Sequence, residues 1–593
     1  MYTAAIMKTE LEASKGTRKL DMRIDNIQLV NVFTREIYPA SIGIYNERIV
    51  AVGRVETEAD QVIDGAGAYA VPGLIDSHIH IETTLLTPEA LGEVIIPWGT
   101  TTLCVDAMEI ANVAGIDGLL AMIKDSEKLP FRLLLEIPSR VPTAPGLETT
   151  GGVLGVEEVT QLLGLDEAVS LGELDPSKVL GMKEEYLEKV LASLNRRKIC
   201  NGHAIGLGVD DLNIYAAGHL SDDHESVYYE ELLERLRLGI MPLIREGSSE
   251  RNVDTLVPGI VKNNLPTDNM MFCTDDKHVN DIFKEGHISY NVKRSIELGL
   301  DPVQAIQMAT INAAKHFRLE DKIGSVAPGR FADILLIDDL TTMKPKLVLK
   351  SGRIVADENG ARPVPEKAYP EKLFDTVHIG ADFSAEKFII HSEGKRAKCR
   401  VIDLIKDQII NKEIFEWMDV KDGQIAADVD RDILKLAVVE RYGKNGRVST
   451  ALVHGFGLKQ GALAASVSHD HHNIVVVGTN DRDMAVCVEK LQELHGGFVS
   501  AVEGQVVDAL ALPLGGLMAT LSAKTVMRRM DEMNEAVEKM GCPMKAPFMS
   551  LSFISLPTVP ELGLTDFGLI DVLGHQIIDC LLYTSDAADD LLC

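Results

Sequence analysis

Between residues 71 and 323 the sequence alternates, eight times over, between an apolar run of strand length and an amphipathic helical stretch. The runs are "YAVPGLIDS", "TTTLCVDA", "FRLLLEIPS", "AVSLGELD", "KICNGHAIG", the short "HLSDD", "IMPLIREGS" and "MMFCTDD". Strands that are apolar along their whole length need cover on both faces, the condition of a parallel sheet flanked by helices. The helix starts agree: Thr87 precedes Pro88 and Asp301 precedes Pro302, an N-cap followed by proline at the first helical position. Eight such pairs in about 250 residues predict an α/β fold, a (β/α)8 TIM-like barrel over 71–323. A doubly wound open sheet is the other parallel arrangement, but it expects a glycine-rich turn after its first strand, and none follows "VPGLID".

The flanks have a different rhythm. Residues 22–70 and 324–370 carry short alternating segments such as "ASIGIYNERIVAVG" and "PKLVLKSGRIVA", which predict one small β-sandwich closed by both ends of the barrel. A chain of 593 residues is too long for one core. Residues 357–380, with their prolines, read as a linker into an additional C-terminal α+β domain over 380–580. Two helices stand out there, "DRDMAVCVEKLQEL" and "SAKTVMRRMDEMNEAVEKMG". Residues 1–21 read as an N-terminal tail. Residues 581–593, the end of "CLLYTSDAADDLLC", break with what precedes them and read as a non-native tail.

Composition narrows the partners. A formal net charge of −30 argues against nucleic acid, whose binders gather Lys and Arg on one face. The eight cysteines contain no C-x-x-C pair, which suits reduced thiols in the cytoplasm. No signal peptide is evident, and no apolar run reaches the roughly 18 residues needed to span a bilayer, so no membrane partner is expected.

The chemistry is expected at the C-terminal ends of the barrel strands, where such folds carry their sites. Those ends hold His78 and His80, Asp106, Glu136, Glu173, His203, His224, Glu246 and Asp275. Residues i and i+2 of a strand share a face, so His78 and His80 can serve one ion. A single strand-end histidine is more often a packing residue than a ligand. Several imidazoles and carboxylates at one end need a metal or mutual partners to offset their desolvation. Glu82, just beyond, has no assigned role.

These residues also carry a resemblance. The H-x-H after "VPGLID", the later single histidines, "CTDD" and "GSVAPGRFAD" resemble the amidohydrolase superfamily. Within it, "DAMEIANV", "PSRVPTAPGLETTGG", "SLGELD", "NGHAIGLGVDDLNIYAAG", "SDDHES", "IREGS" and "FCTDDKH" are similar to the adenine deaminase branch, over about 22–580 and including the C-terminal "HDHHNIVVVGTNDRDMA". The resemblance implies hydrolytic deamination of adenine, a small purine base, to hypoxanthine and ammonia in purine salvage. It implies two divalent metal ions per subunit: Mn(II) or Fe(II), with Zn(II) as an alternative. His78, His80 and Asp275 would hold the deeper ion and His203 and His224 the second, with Glu173 bridging and Lys178 as the fallback bridge. Asp275 would also be the catalytic proton carrier. Asp106, Arg245 and Glu246 are the expected substrate contacts, although Arg245 and Glu246 could instead form a local ion pair. The branch more often reads D-P-H-E where this chain has Asp106-Ala107-Met108-Glu109, which removes a histidine from the second strand end. His469, His471 and His472 either reach the barrel mouth, bind an accessory ion, or sit on a solvated turn. A homo-oligomer is expected. The neighbouring reading is a cyclic-amide hydrolase, and the remaining one a scaffold without activity.

Overall fold

The computed structural model describes residues 2–405, 410–558 and 561–585. Eight parallel strands stand at its centre: β1 (Leu74–Ile79), β2 (Thr100–Asp106), β3 (Arg132–Ile137), β4 (Ala168–Leu174), β5 (Ile199–Gly202), β6 (Asp222–Asp223), β7 (Met241–Arg245) and β8 (Met271–Cys273). They hydrogen-bond as a five-stranded sheet, β1 to β5 in order, and a three-stranded sheet, β6 to β8. Single backbone bonds cross both seams. Ser221 N–H donates to Cys200 O at 2.8 Å beside β5, and Asp275 N–H donates to His78 O at 3.0 Å beside β1.

The curl of this TIM-like sheet shows in what it encloses. Ile75, Cys104, Leu134, Val169, Ile199, Leu243 and Met271, from seven of the strands, meet in one buried cluster with Ala313 and Phe317. Two residues further along, the same faces present Asp106 on β2, Glu136 on β3 and Arg245 on β7. The inward surface thus turns from aliphatic to charged towards the C-terminal ends. Gly172 is required at one such point, since a Cβ there would stand 2.3 Å from the Asp106 Oδ2. The expected helix starts form, with Thr87 Oγ1 accepting from Ala90 N and Asp301 Oδ1 from Val303 N and Gln304 N.

Outside the barrel, the flanks make a single nine-stranded hydrogen-bonded sheet, one face of which gathers Ile24, Ile44, Ile334 and Leu349 into a shared buried cluster. Its hinge is Tyr69–Pro72, which pairs antiparallel with Ile334–Ile337 and leads directly into β1. Residues 1–21 are not a tail: Ala4–Ser14 is helical, with Thr3 as N-cap, and Leu20 begins a strand. Ala13 packs on Leu20 and Val50, a small apolar contact that the polar character of the segment obscured. Leu581–Ser585 pairs antiparallel with the strand Arg396–Leu404, so the first part of the expected non-native tail is an edge strand. The rest, 586–593, lies outside the described residues.

The C-terminal part is an eleven-stranded sheet with helices Asp481–Glu493 and Ala523–Lys539, followed by a three-stranded sheet over Leu562–Ile578. It sits against the barrel. Leu86 and Ile110 share one buried cluster with Leu514, Met518 and Phe548, and Leu86 forms a parallel bridge with Ala519. Among the described residues no helix is long and apolar enough to cross a membrane.

Candidate metal centre

The end of β1 aims both imidazoles into the mouth and fixes each from behind. His78 Nδ1 pairs with Glu136 Oε2 at 2.6 Å, and His80 Nδ1 pairs with the Asp106 carbonyl at 2.9 Å. Such partners set the tautomer and leave the far nitrogen for a ligand. His78 Nε2 is buried and has no hydrogen-bond partner. It lies 3.9 Å from Asp275 Oδ1 and 4.0 Å from Glu173 Oε2, while His80 Nε2 lies 3.7 Å from Asp275 Oδ1.

Glu173, at the end of β4, faces three strands at once. Its Oε2 is 3.1 Å from His203 Nδ1 and 3.2 Å from His224 Nε2, besides its approach to His78. The other oxygen accepts from Arg140 Nη2. Metal–ligand bonds of about 2.0–2.2 Å put neighbouring ligand atoms roughly 3–4 Å apart. Three groups around Glu173 and Asp275 bring one donor atom each to within 4.8 Å of one another: His78, His80 and Glu173; Glu173, His203 and His224; His78, His224 and Asp275. The orphaned His78 nitrogen and an all nitrogen-and-carboxylate donor set fit divalent ions of the Mn–Zn series. The fallback bridge is turned away, since Lys178 Nζ donates to the Thr143 carbonyl at 3.2 Å.

The electrostatics point the same way. Burial and the imidazoles of His224 and His80 push the His78 pKa down to about 4. Around His80 and His224, carboxylates outweigh burial and raise the imidazole pKa well above its ordinary value. An excess of carboxylate that protonated histidines must balance is the field that divalent cations would neutralise. Asp275 follows β8 with φ +57°, a left-handed backbone seldom taken by a non-glycine residue. Burial would raise its pKa, but His224 and the Arg245 guanidinium prevail and hold it below the ordinary carboxylate value.

Of the three expected substrate contacts, Arg245 alone lines the cavity. Its Nη1 donates to Asp275 Oδ2 at 2.9 Å and to Glu225 Oε1 at 2.8 Å, so its ion pairs are with those residues and not with Glu246. Glu246 is satisfied elsewhere, by Arg251 Nε at 2.6 Å and Val253 N at 3.1 Å. Asp106 is buried behind the site, where its Oδ2 accepts from Glu173 N at 3.3 Å, and burial pushes its pKa up to about 8. It orders the strand that carries Glu173.

Several residues at the site had no assignment from sequence. Glu225 stands 3.3 Å from His224 Nε2 and 3.4 Å from His203 Nδ1, and its adjacency to His224 in "SDDHES" was the available signal. Arg140, in "PSRVPT", holds Glu173. Glu82 accepts from Ile110 N at 3.1 Å and so secures the start of the helix Met108–Ile123. Met108 and Glu109, which open that helix, line the cavity wall.

The C-terminal part supplies the roof. His469 stacks on Phe553, centroids 4.5 Å apart, and both line the cavity with Asp470, Leu556 and Thr558. Asp470 Oδ2 reaches Arg140 at 3.6 Å. The "VSHDHHN" segment is therefore no solvated turn, for His469, His471 and His472 are all buried. His471 is taken up internally: its Nδ1 accepts from Asn473 N at 3.0 Å and its Nε2 pairs with the Leu564 carbonyl at 3.3 Å.

The chain is similar to known proteins over nearly its whole length. Residues 69–355 match the Amidohydrolase family, and residues 408–576 match the Adenine deaminase C-terminal domain. A protein of Desulforamulus reducens named adenine deaminase is 56% identical over 582 residues, covering 98% of this chain and 99% of that protein. Proteins of the same name from Kosmotoga olearia and Geobacillus kaustophilus are each 38% identical, covering 96% of this chain and 98% of theirs.

Proposed function

The chain belongs to the adenine deaminase family of amidohydrolases and deaminates adenine, and from that premise we propose how its residues divide the work. His78, His80 and Asp275 would hold one divalent ion and His203 and His224 another, with Glu173 placed to serve both at the mouth of a closed (β/α)8 barrel. Mn(II) or Fe(II) suits these donors first, with Zn(II) as the alternative. Ions in such a pair would lower the pKa of a water towards about 7 and so supply hydroxide at neutral pH.

The rest falls to side chains. Adenine loses its amine after addition at C6, which requires one proton removed from the attacking water and one delivered to the departing nitrogen. Asp275 is suited to carry it, because Arg245 engages Oδ2 and leaves Oδ1 towards the histidines. The purine ring is planar and apolar on its faces, and the His469–Phe553 stack with Met108 offers it a flat wall. Glu225, bound by both Arg245 amino groups, keeps that guanidinium in place. We assign the reaction to purine salvage in the cytoplasm, where the free buried thiols would stay reduced.

The observation that carries the reading is the single Glu173 oxygen within reach of imidazoles from three strands. Metal-reconstituted protein is expected to release ammonia from adenine, and not to open cyclic amides. Asp275→Asn should lower kcat by about 10²–10⁴ with metal content largely kept. Cyclic-amide turnover without ammonia from adenine would sink the substrate reading, and undiminished kcat in the variant would remove Asp275 from the proton path.

A further inference from the structure

Beside the centre just described lies a second convergence of donors, of which only His469 has been given a part in the reaction, as a wall for the purine. Glu109 comes from the first turn of the helix after β2, and His469 and His472 come from the C-terminal roof. Each offers one atom, all within 4.8 Å of one another, and all three residues are buried. Their existing contacts do not satisfy them. Glu109 Oε1 stands 3.4 Å from His80 Nδ1 and 3.6 Å from His469 Nδ1, the latter beyond hydrogen-bonding range. Glu109 Oε2 has no partner at all. Neither ring nitrogen of His472 makes a well-formed hydrogen bond, its loose polar contact being the Asp470 backbone.

Orphaned buried polar atoms are rare, and each costs about 1–3 kcal/mol. Three in one place, on the His472 imidazole and the Glu109 carboxylate, call for a common occupant, and His469 stands beside them. A water bridges with about three hydrogen bonds but does not need two imidazoles turned edge-on to each other, 5.5 Å between centroids at 76°. A divalent cation does, because bonds of about 2.0–2.2 Å place its ligands roughly 3–4 Å apart. The Asp470 contact on one side of His472 fits the usual arrangement in which a ligating imidazole rests its other nitrogen on a carbonyl.

We propose that Glu109, His469 and His472 form a further metal site, which takes a divalent transition ion of the Mn–Zn series and fastens the C-terminal domain to the barrel. Two imidazoles and one carboxylate leave coordination positions for water, as in other sites of that composition. The site adjoins the one assigned to deamination, through Glu109 beside His80 and through His469, but its test counts metal and does not depend on that assignment. The full chain is saturated with Mn(II) or Zn(II), desalted, and assayed for metal per chain, beside His472→Asn and His469→Gln. Wild type should hold one equivalent more than either variant, and crystals of the wild type should show an anomalous peak between the three side chains. Equal metal content in folded variants, with no such peak, overturns the proposal. Should the variants fail to fold, the wild-type anomalous map decides alone: a peak supports the site and an empty map removes it.

Discussion

Whether a buried carboxyl near this centre is charged depends on which cations face it. Burial pushes Glu173 up, but Arg140 and His203 outweigh it and hold the group well below its ordinary value. At Glu148, under the same roof, burial prevails, and Asp470 and Asp566 add to it. Its Oε1 accepts from Ala144 N at 2.8 Å, its Oε2 is unpartnered, and burial pushes its pKa up to about 7. Between about pH 4.5 and 7 the folded protein therefore holds a proton that the unfolded chain has released, and stability falls as pH rises through that window. Glu148→Gln should be more stable than wild type above pH 8, by up to about 3 kcal/mol, and no different near pH 4. Urea unfolding at several pH values, with metal held constant, reads this directly; a gap that does not grow with pH would contradict it. That the six side chains expected to ligate face one mouth was foreseeable because each lies at or just past the end of a barrel strand, where the inward face turns polar. Glu109, Glu225 and Arg140 were not, because loops and a helix start deliver them, and there no strand period reports direction.

At the scale of elements, the alternation of strand and helix was legible because each unit is encoded locally. Asp301 is a case in point: it accepts from both Val303 N and Gln304 N, and Pro302 pre-sets the first turn of the helix Pro302–Met308. Asp301→Ala should cost about 1 kcal/mol and lower the thermal midpoint, whereas Asp301→Asn should be near neutral; equal midpoints for all three would dismiss the cap. Pairing between distant strands has no local signature. Nothing in "YAVP" or "ILLI" says that Tyr69–Pro72 and Ile334–Ile337 lie side by side, so the nine-stranded sheet emerged only with the tertiary structure. The N-terminal helix was hidden for a related reason. Its buried contact is essentially Ala13, too small an apolar stripe to stand out among Lys and Glu.

At the scale of the molecule, the barrel and the C-terminal domain share one uninterrupted apolar cluster. Parts joined in that way should unfold together. Calorimetry of the metal-loaded protein is expected to show one main transition, and two well-separated transitions of comparable enthalpy would show the joint to be weak. The roof over the centre has a further consequence, in time. Every residue proposed to hold metal at the central site lies between residues 78 and 275, but the segments that cover it begin at His469 and end at Thr558. At about 5–20 residues per second, tens of seconds of synthesis separate the last ligand from the last roofing residue. During that interval the histidines would be reachable by ions from open water, and afterwards the roof lies over them. The choice of metal is thus exposed to the order of translation, and an enzyme stripped of its ions after folding meets a narrower entrance than the one through which it was first filled.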